Sequence, residues 1–189
     1  MRVFIAVLVL IFSLQSWTKA DDIRDFQIEG MSIGDSLLFH VSKDKIKKVN
    51  SPNKKIKYAR AIVEKDLKIY DFVQVWFLDN DKNYIIKAIG GAIDFPNNIT
   101  GCKKKQKEIA EELKNSILNL SVREDETKNM HDKTGKSITY HYALEFPNKD
   151  FINVQCYKYS KHMDSTDHLN VMIATKRFED HYLEVKNSQ

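Results

Sequence analysis

The amino-acid sequence predicts an α+β fold: an antiparallel sheet of about six strands in two meanders, with a central helix packed on one face, in the order αβββ-αβββ. The first observation is a helical period over residues 101–120. Ile109, Ala110, Leu113, Ile117, Leu118 and Leu120 gather into one apolar stripe, with lysines and glutamates on the opposite side. The second is that strand-like stretches come in runs of three on either side of this helix, whereas parallel βαβ units would need a helix after nearly every strand. The third is a cysteine at the helix start, Cys102, with a second, Cys156, in a later strand-like run.

Residues 1–20 stand apart from the fold. Met1-Arg2 gives a positive start, residues 3–14 are apolar apart from Ser13, and Thr18-Lys19-Ala20 closes the run ahead of Asp21-Asp22. This is the pattern of a cleavable signal peptide, too short to span a bilayer, and it predicts a periplasmic or secreted chain. No other stretch reaches membrane length. Residues 21–189 suit a single α+β domain with its own core, with residues 30–96 and 98–178 as an αβββ pseudo-repeat.

Within that domain, residues 25–28 read as an extended entry. Ser32, with Asp35 three residues on, reads as a capping box for a short helix reaching about Val41. A second turn over 43–49 follows, ended by Ser51-Pro52-Asn53. Strands are predicted at 56–65, 70–78 and 84–95, the last two rich in aromatic and β-branched residues and joined by a polar loop at 79–83. Gly90-Gly91 inside the third strand marks a bulge or a close backbone approach. Thr100 is the expected N-cap of the central helix. Residues 121–137 are polar and predict a connection without core residues. Strands at 138–146, 151–160 and 169–177 complete the second meander, and 178–185 reads as a short terminal helix or a surface tail.

The formal net charge is +4, and 25 of the 30 basic residues are lysine; without Arg2 and Lys19 only +2 remains. That balance gives no support to a nucleic-acid partner. Two cysteines in an exported chain predict a disulfide between Cys102 and Cys156. Alternation puts Ile152, Val154 and Cys156 on the side facing the helix, so the bridge would join helix to strand. A metal or reactive thiol pair would call for a CxxC spacing, which is absent.

Four constellations carry candidate chemistry. Gly34-Asp35-Ser36-Leu37 spells the nucleophile motif of the GDSL esterases and predicts Ser36 as nucleophile, but neither a G-x-N-D element nor a C-terminal D-x-x-H follows. A helix cap accounts for the same residues. Asp79, Asp81 and Asn83 have the opening spacing of a calcium loop, with Tyr84 and Gly90 where Gly and Glu would be needed; a hairpin loop accounts for them as well. His162, Asp164, Asp167 and His168 crowd one turn, as a zinc site or a solvated loop. Seven lysines between Lys43 and Lys57 form a basic stretch that is either a solvated face or an anion-binding one. No cofactor is predicted.

The aromatic residues of the strands point elsewhere. Tyr70, Phe72, Trp76, Tyr157 and Tyr159, together with Tyr140 and Tyr142, alternate with other residues, so one sheet face opposes the helices and the other presents Tyr and Trp. The function this predicts is a non-enzymatic interaction module using that face, with a protein or another envelope macromolecule as partner. The alternatives are a small GDSL-like hydrolase using Ser36 and a periplasmic binder of a small or anionic ligand.

Residues 25–37, DFQIEGMSIGDSL, with the Asn83-Tyr84-Ile85-Ile86 and His168-Leu169 neighbourhoods, resemble a group of small exported bacterial proteins without an assigned activity. Gly30-Met31-Ser32 ahead of a helix and a strand meander is more distantly similar to SmpA/OmlA and β-lactamase-inhibitor-like modules. That resemblance implies helix-plus-meander units that bind other proteins; the Gly-x-Pro usual after their first helix is missing here.

Overall fold

The computed structural model describes residues 22–187 apart from 52, 65, 118 and 131, so the segment read as a signal peptide lies outside the described residues. A two-stranded hairpin, β1 (Gln27–Ile28) and β2 (Met31–Ser32), comes first. It is followed by β3 (Lys48–Asn50), β4 (Tyr58–Val63), β5 (Phe72–Leu78) and β6 (Ala88–Asp94). Helix α1 (Ile99–Ser116) leads to β7 (Ser121–Lys128), β8 (Ile138–Glu145), β9 (Phe151–Lys158) and β10 (His168–Ala174), and helix α2 (Lys176–Asn187) ends the described chain. Strands β3 to β10 form one antiparallel sheet in the order β3-β4-β5-β6-β10-β9-β8-β7.

This overturns the expected order αβββ-αβββ and its six strands: the chain is mostly sheet, with eight strands in one sheet and two more in a hairpin. Three local causes account for the difference. Among the described residues no α-helix precedes β3, because much of the backbone around Ser36 bonds to the loop before β6. Gly34 N donates to Ile86 O and Leu37 N to Tyr84 O, leaving only the 3-10 turn Leu37–Phe39, with Leu37 buried and Phe39 exposed. Strand β7 lies where a polar connection was expected. All eight of its residues are exposed, and it pairs only with β8, so its sequence needs no alternation. Strand β3 at the opposite edge is also exposed throughout.

The register sorts the sheet residues onto two faces. On the inner face, α1 lies across β8, β9 and β10. Cys102, Ile109, Leu113 and Ile117 share a core with Ile152, Val154, Cys156, Leu169 and Val171. The disulfide between Cys102 and Cys156 is formed, with Cα atoms 6.0 Å apart and a sequence separation of 54. Closing such a loop contributes roughly 4 kcal/mol on the chain-entropy account. The helix starts slightly earlier than expected: Asn98 is its N-cap, its side chain accepting from Gly101 N at 2.9 Å. One polar residue interrupts the buried stripe. Gln106 is 1% exposed, and its Nε2 donates to Tyr140 O and Val154 O, both at 2.8 Å, so a helix side chain is tied to two strands at once.

The N-terminal segment shares this core. Ile23, Phe26, Ile28, Met31, Ile33 and Leu37 are all buried in it, and Phe26 meets Phe146 edge-on. The β1–β2 turn holds Glu29 at φ 53 and Gly30 at φ 79, a left-handed pair suited to a tight hairpin. Glu29 is an unusual residue there, and its carboxylate shows why it is accepted. It takes the backbone N–H groups of Lys68, Ile69 and Tyr70 at 2.9, 2.7 and 3.0 Å, fixing the chain just before β5. Tyr70 is thereby laid over Gly91, where an added Cβ would come within 2.5 Å of the ring. The Gly90-Gly91 pair therefore marks a close approach; the ladders of β6 with β5 and β10 run through it without a bulge.

On the outer face, α2 covers one end. Phe178 packs against Tyr58 and Trp76 with ring centroids 4.9 and 5.9 Å away, Tyr182 stacks on Tyr58, and His181 Nε2 accepts from Lys57 N at 3.0 Å. Gly91→Ala is expected to destabilise the protein by about 1–3 kcal/mol, because the buried Tyr70 ring has no free direction. Gly90→Ala, facing the adjustable Asn170 side chain at 3.3 Å, is expected to stay close to neutral. Denaturant melts of the two variants side by side check this.

Candidate functional site

Beyond the end that α2 covers, no helix among the described residues lies over the outer face. The register aligns Asp125, His141, Gln155, Asn170, Ala92 and Phe72 in one row across six strands. Thr127, Thr139, Tyr157, His168 and Asp94 form the next row, and Arg123, Ala143, Asn153, Met172, Gly90 and Gln74 the row on the other side.

The first two rows are joined by side-chain hydrogen bonds. Tyr157 Oη donates to Gln155 Oε1 at 2.8 Å, Gln155 Nε2 lies 2.9 Å from His141 Nδ1, and His141 Nε2 lies 2.8 Å from Thr127 Oγ1. An amide nitrogen only donates, so Nδ1 of His141 accepts and the ring proton sits on Nε2, facing Thr127. Donation thus runs one way, from Tyr157 through Gln155 and His141 to Thr127. Asn170 Nδ2 adds a long contact of 3.5 Å to Gln155 Oε1.

Beside the relay lies a cluster of rings. Tyr157 stacks on His168 at 4.7 Å and lies parallel to Tyr159 at 6.1 Å, and Phe72 meets His168 edge-on at 6.4 Å. Burial pushes the Tyr157 hydroxyl up to about 12, so it stays a donor across the physiological range. Burial also moves His141 below its ordinary value; Asp125 opposes that shift and Arg123 adds to it.

The aromatic residues expected on one face divide between the two. Phe72, Trp76 and Tyr157 are on the outer face, although Trp76 is partly covered by Phe178. Tyr159 follows β9 and joins the ring cluster. Tyr70 does not belong there: it is 4% exposed, in the core over Gly91. Tyr140 and Tyr142 are in phase with Cys156 on the inner face, where Lys103 Nζ sits 3.8 Å above the Tyr140 ring. Thr127, His141, Gln155 and Asn170 carried no motif. Their signal was phase: His141 and Gln155 fall on the side opposite Cys156 once that residue is assigned to the helix side.

No family model, curated protein or solved structure matches the chain. Its chemistry therefore has to be read from its own groups.

Ser36 Oγ donates to Asn83 O at 2.6 Å and accepts from Leu38 N at 3.3 Å, both backbone atoms, in the position of an N-cap. Asp81 spends both carboxylate oxygens on the N–H groups of Asn83 and Ile85, and Asp79 pairs with Lys48. Asp167 accepts from Tyr159 N, and His168 belongs to the ring cluster. Among the described residues no group of three or more His, Cys, Asp or Glu is placed to hold a metal ion, and no helix is long and apolar enough to cross a membrane.

Ser36→Ala is expected to weaken the fold by about 1 kcal/mol, as loss of a cap does, and to leave hydrolysis of short acyl esters at the blank rate; denaturation and an ester assay read the two. For His141, nitrogen-detected NMR is expected to show the Nε2–H tautomer at neutral pH and a midpoint below 6.5. Between that midpoint and 6.5 the unfolded chain binds a proton that the folded chain does not. Stability therefore rises with pH across the window and falls on acidification through it, which Tm against pH will show.

Proposed function

We propose that the chain is an exported, non-enzymatic binding module whose outer sheet face receives a macromolecular partner of the cell envelope or exterior. The observation that carries this reading is the open field beside α2. It is a half-buried array of Tyr, His, Asn and Gln side chains, ordered by their own hydrogen bonds and held on strands at the centre of the sheet. Side chains fixed in this way lose little freedom on binding, and strands hold them more rigidly than loops do. The relay's His and Tyr hydroxyl face a Gln and a Thr, with no activated nucleophile beside them, which suits recognition better than turnover. Export is supported by the N-terminal pattern of residues 1–20 and by the Cys102–Cys156 disulfide, which an oxidising compartment preserves.

A photo-crosslinking residue placed at Asn170 and, separately, at Lys104 on the exposed side of α1 tests which face is used. In an envelope fraction, adducts are expected from position 170 and not from position 104. Adducts from position 104 alone would transfer the function to the helix side.

A further inference from the structure

Charge singles out the middle of the outer face. Of the whole sequence 30% is charged, and an ordinary solvated sheet face would carry its share of Lys and Glu. Across β5, β6, β10, β9 and β8 this face instead presents Gln74, Asn170, Asn153, Gln155 and His141, with no formal charge among them at neutral pH. The ions of the face lie around this field, most of them engaged. Arg60 donates to Gln74 Oε1 at 3.1 Å, Arg123 pairs with Asp125 at 3.0 Å, and Glu145 pairs with Lys149 at 2.7 Å.

Two classes of partner fit this poorly. Nucleic acid needs a row of cations for its phosphates, and the two arginines here are both occupied. A protein interface is anchored by large apolar side chains in a dry centre. Among the described residues the exposed large apolar side chains, Phe39, Val49, Val122, Met130 and Leu183, all lie away from this middle. What the middle does offer is spare amide hydrogen-bonding capacity. Asn153 has no side-chain partner among the described residues, Asn170 uses only Nδ2, and Gln74 uses only Oε1. Asn153 can both give and take hydrogen bonds, Asn170 Oδ1 can accept and Gln74 Nε2 can donate, and the ring cluster of Tyr157, Tyr159 and His168 borders the field.

We infer that this field is a binding site for a neutral glycan, an uncharged chain whose hydroxyls match free amide donors and acceptors one for one. The inference rests on the sheet-face reading above and adds the ligand class. Hydroxyl groups both donate and accept, so an amide array without charge satisfies them without stranding a desolvated ion. The relay contributes by holding Gln155 and Tyr157 in place before the glycan arrives.

The test titrates the nitrogen-15-labelled protein with short β-1,4-glucan, chitin and α-1,4-glucan oligosaccharides, with a polyanionic oligosaccharide alongside. At least one neutral oligosaccharide is expected to shift the side-chain amide signals of Asn153, Gln155 and Asn170 saturably. The Kd should be the same at about 50 mM and about 500 mM salt, because no charges are screened. Asn153→Ala and Asn170→Ala, at half-buried positions of the field, should each weaken binding about tenfold with little change in Tm. Silence from every neutral oligosaccharide, or a polyanion preferred with salt-sensitive affinity, overturns the glycan assignment. If those titrations are silent while position 170 still cross-links to a protein, the face is a binding face for another ligand. If cross-linking fails as well, the sheet-face reading falls with it.

Discussion

The ladder between β6 and β10 is the interaction on which the rest of the structure depends. It joins Ala88–Asp94 to His168–Ala174 through seven register pairs and, among the described residues, is the only strand pairing that links the first four strands of the sheet to the last four. Every other ladder in the eight-stranded sheet connects neighbours in sequence. After β6 the chain crosses on α1 to the far edge, lays down β7, and returns inward through β8 and β9 until β10 meets β6. That last pairing is costly in chain entropy, because a long loop must close before its contacts form. The Cys102–Cys156 bridge acts on the same loop, tying the start of α1 to β9, the strand beside β10. The small residues of β6 follow from its central place. Tyr70 occupies the space over Gly91 on one face, and Asn170 and Trp76 crowd Gly90 on the other.

How much of this was legible depends on whether an element owns a core face. Helix α1, β5, β6, β8, β9 and β10 each bury an apolar stripe or an alternating set, so their sequence periods reveal them, as the buried Val73, Val75 and Phe77 of β5 show. Strand β7 buries nothing; its backbone pairs with β8 while its charges face water, and the sequence of such an edge resembles a loop. The segment around Ser36 has capping residues and apolar neighbours, yet tertiary hydrogen bonds to Tyr84 and Ile86 override its helical pattern. The order of strands was hidden for another reason: hairpins leave turn signals, but a non-local ladder of small residues leaves none. The disulfide was readable because Cys156 shares phase with Ile152 and Val154. The same phase would have separated Tyr140 and Tyr142 from Tyr157. Tyr70 escaped it, since it precedes β5 and is placed by Glu29.

The two faces differ because they are covered differently. On the inner face, α1 and the N-terminal segment bring apolar surface that covers the strands, and the buried polar side chain of α1, Gln106, donates to two strand carbonyls. On the outer face α2 is short and covers one end, where the strands supply Tyr58, Trp76 and Phe151 to receive it. Where α2 stops, the side chains change from apolar to amide and imidazole. The composition of each region of the sheet thus follows its cover. The part of the outer face beside α2 is lined by ordered polar side chains, and among the described residues no helix lies over it.

The one-way hydrogen bonding of the relay extends this argument to chemistry. Gln155 Oε1 is the acceptor for Tyr157 and, at longer range, for Asn170, so its amide must point Nε2 at His141. A proton added at His141 Nδ1 would set two donors face to face. Turning the Gln155 amide would relieve that clash, but it would take the acceptor from Tyr157 and Asn170 together. Burial of the ring opposes its charge as well. Solvation and the network therefore favour the same neutral state, and that state fixes which way each donor on the open face points. The direction of one imidazole proton, facing Thr127 at the rim, keeps Gln155, Tyr157 and Asn170 in one arrangement across two strands. A partner would meet a pattern already set before contact.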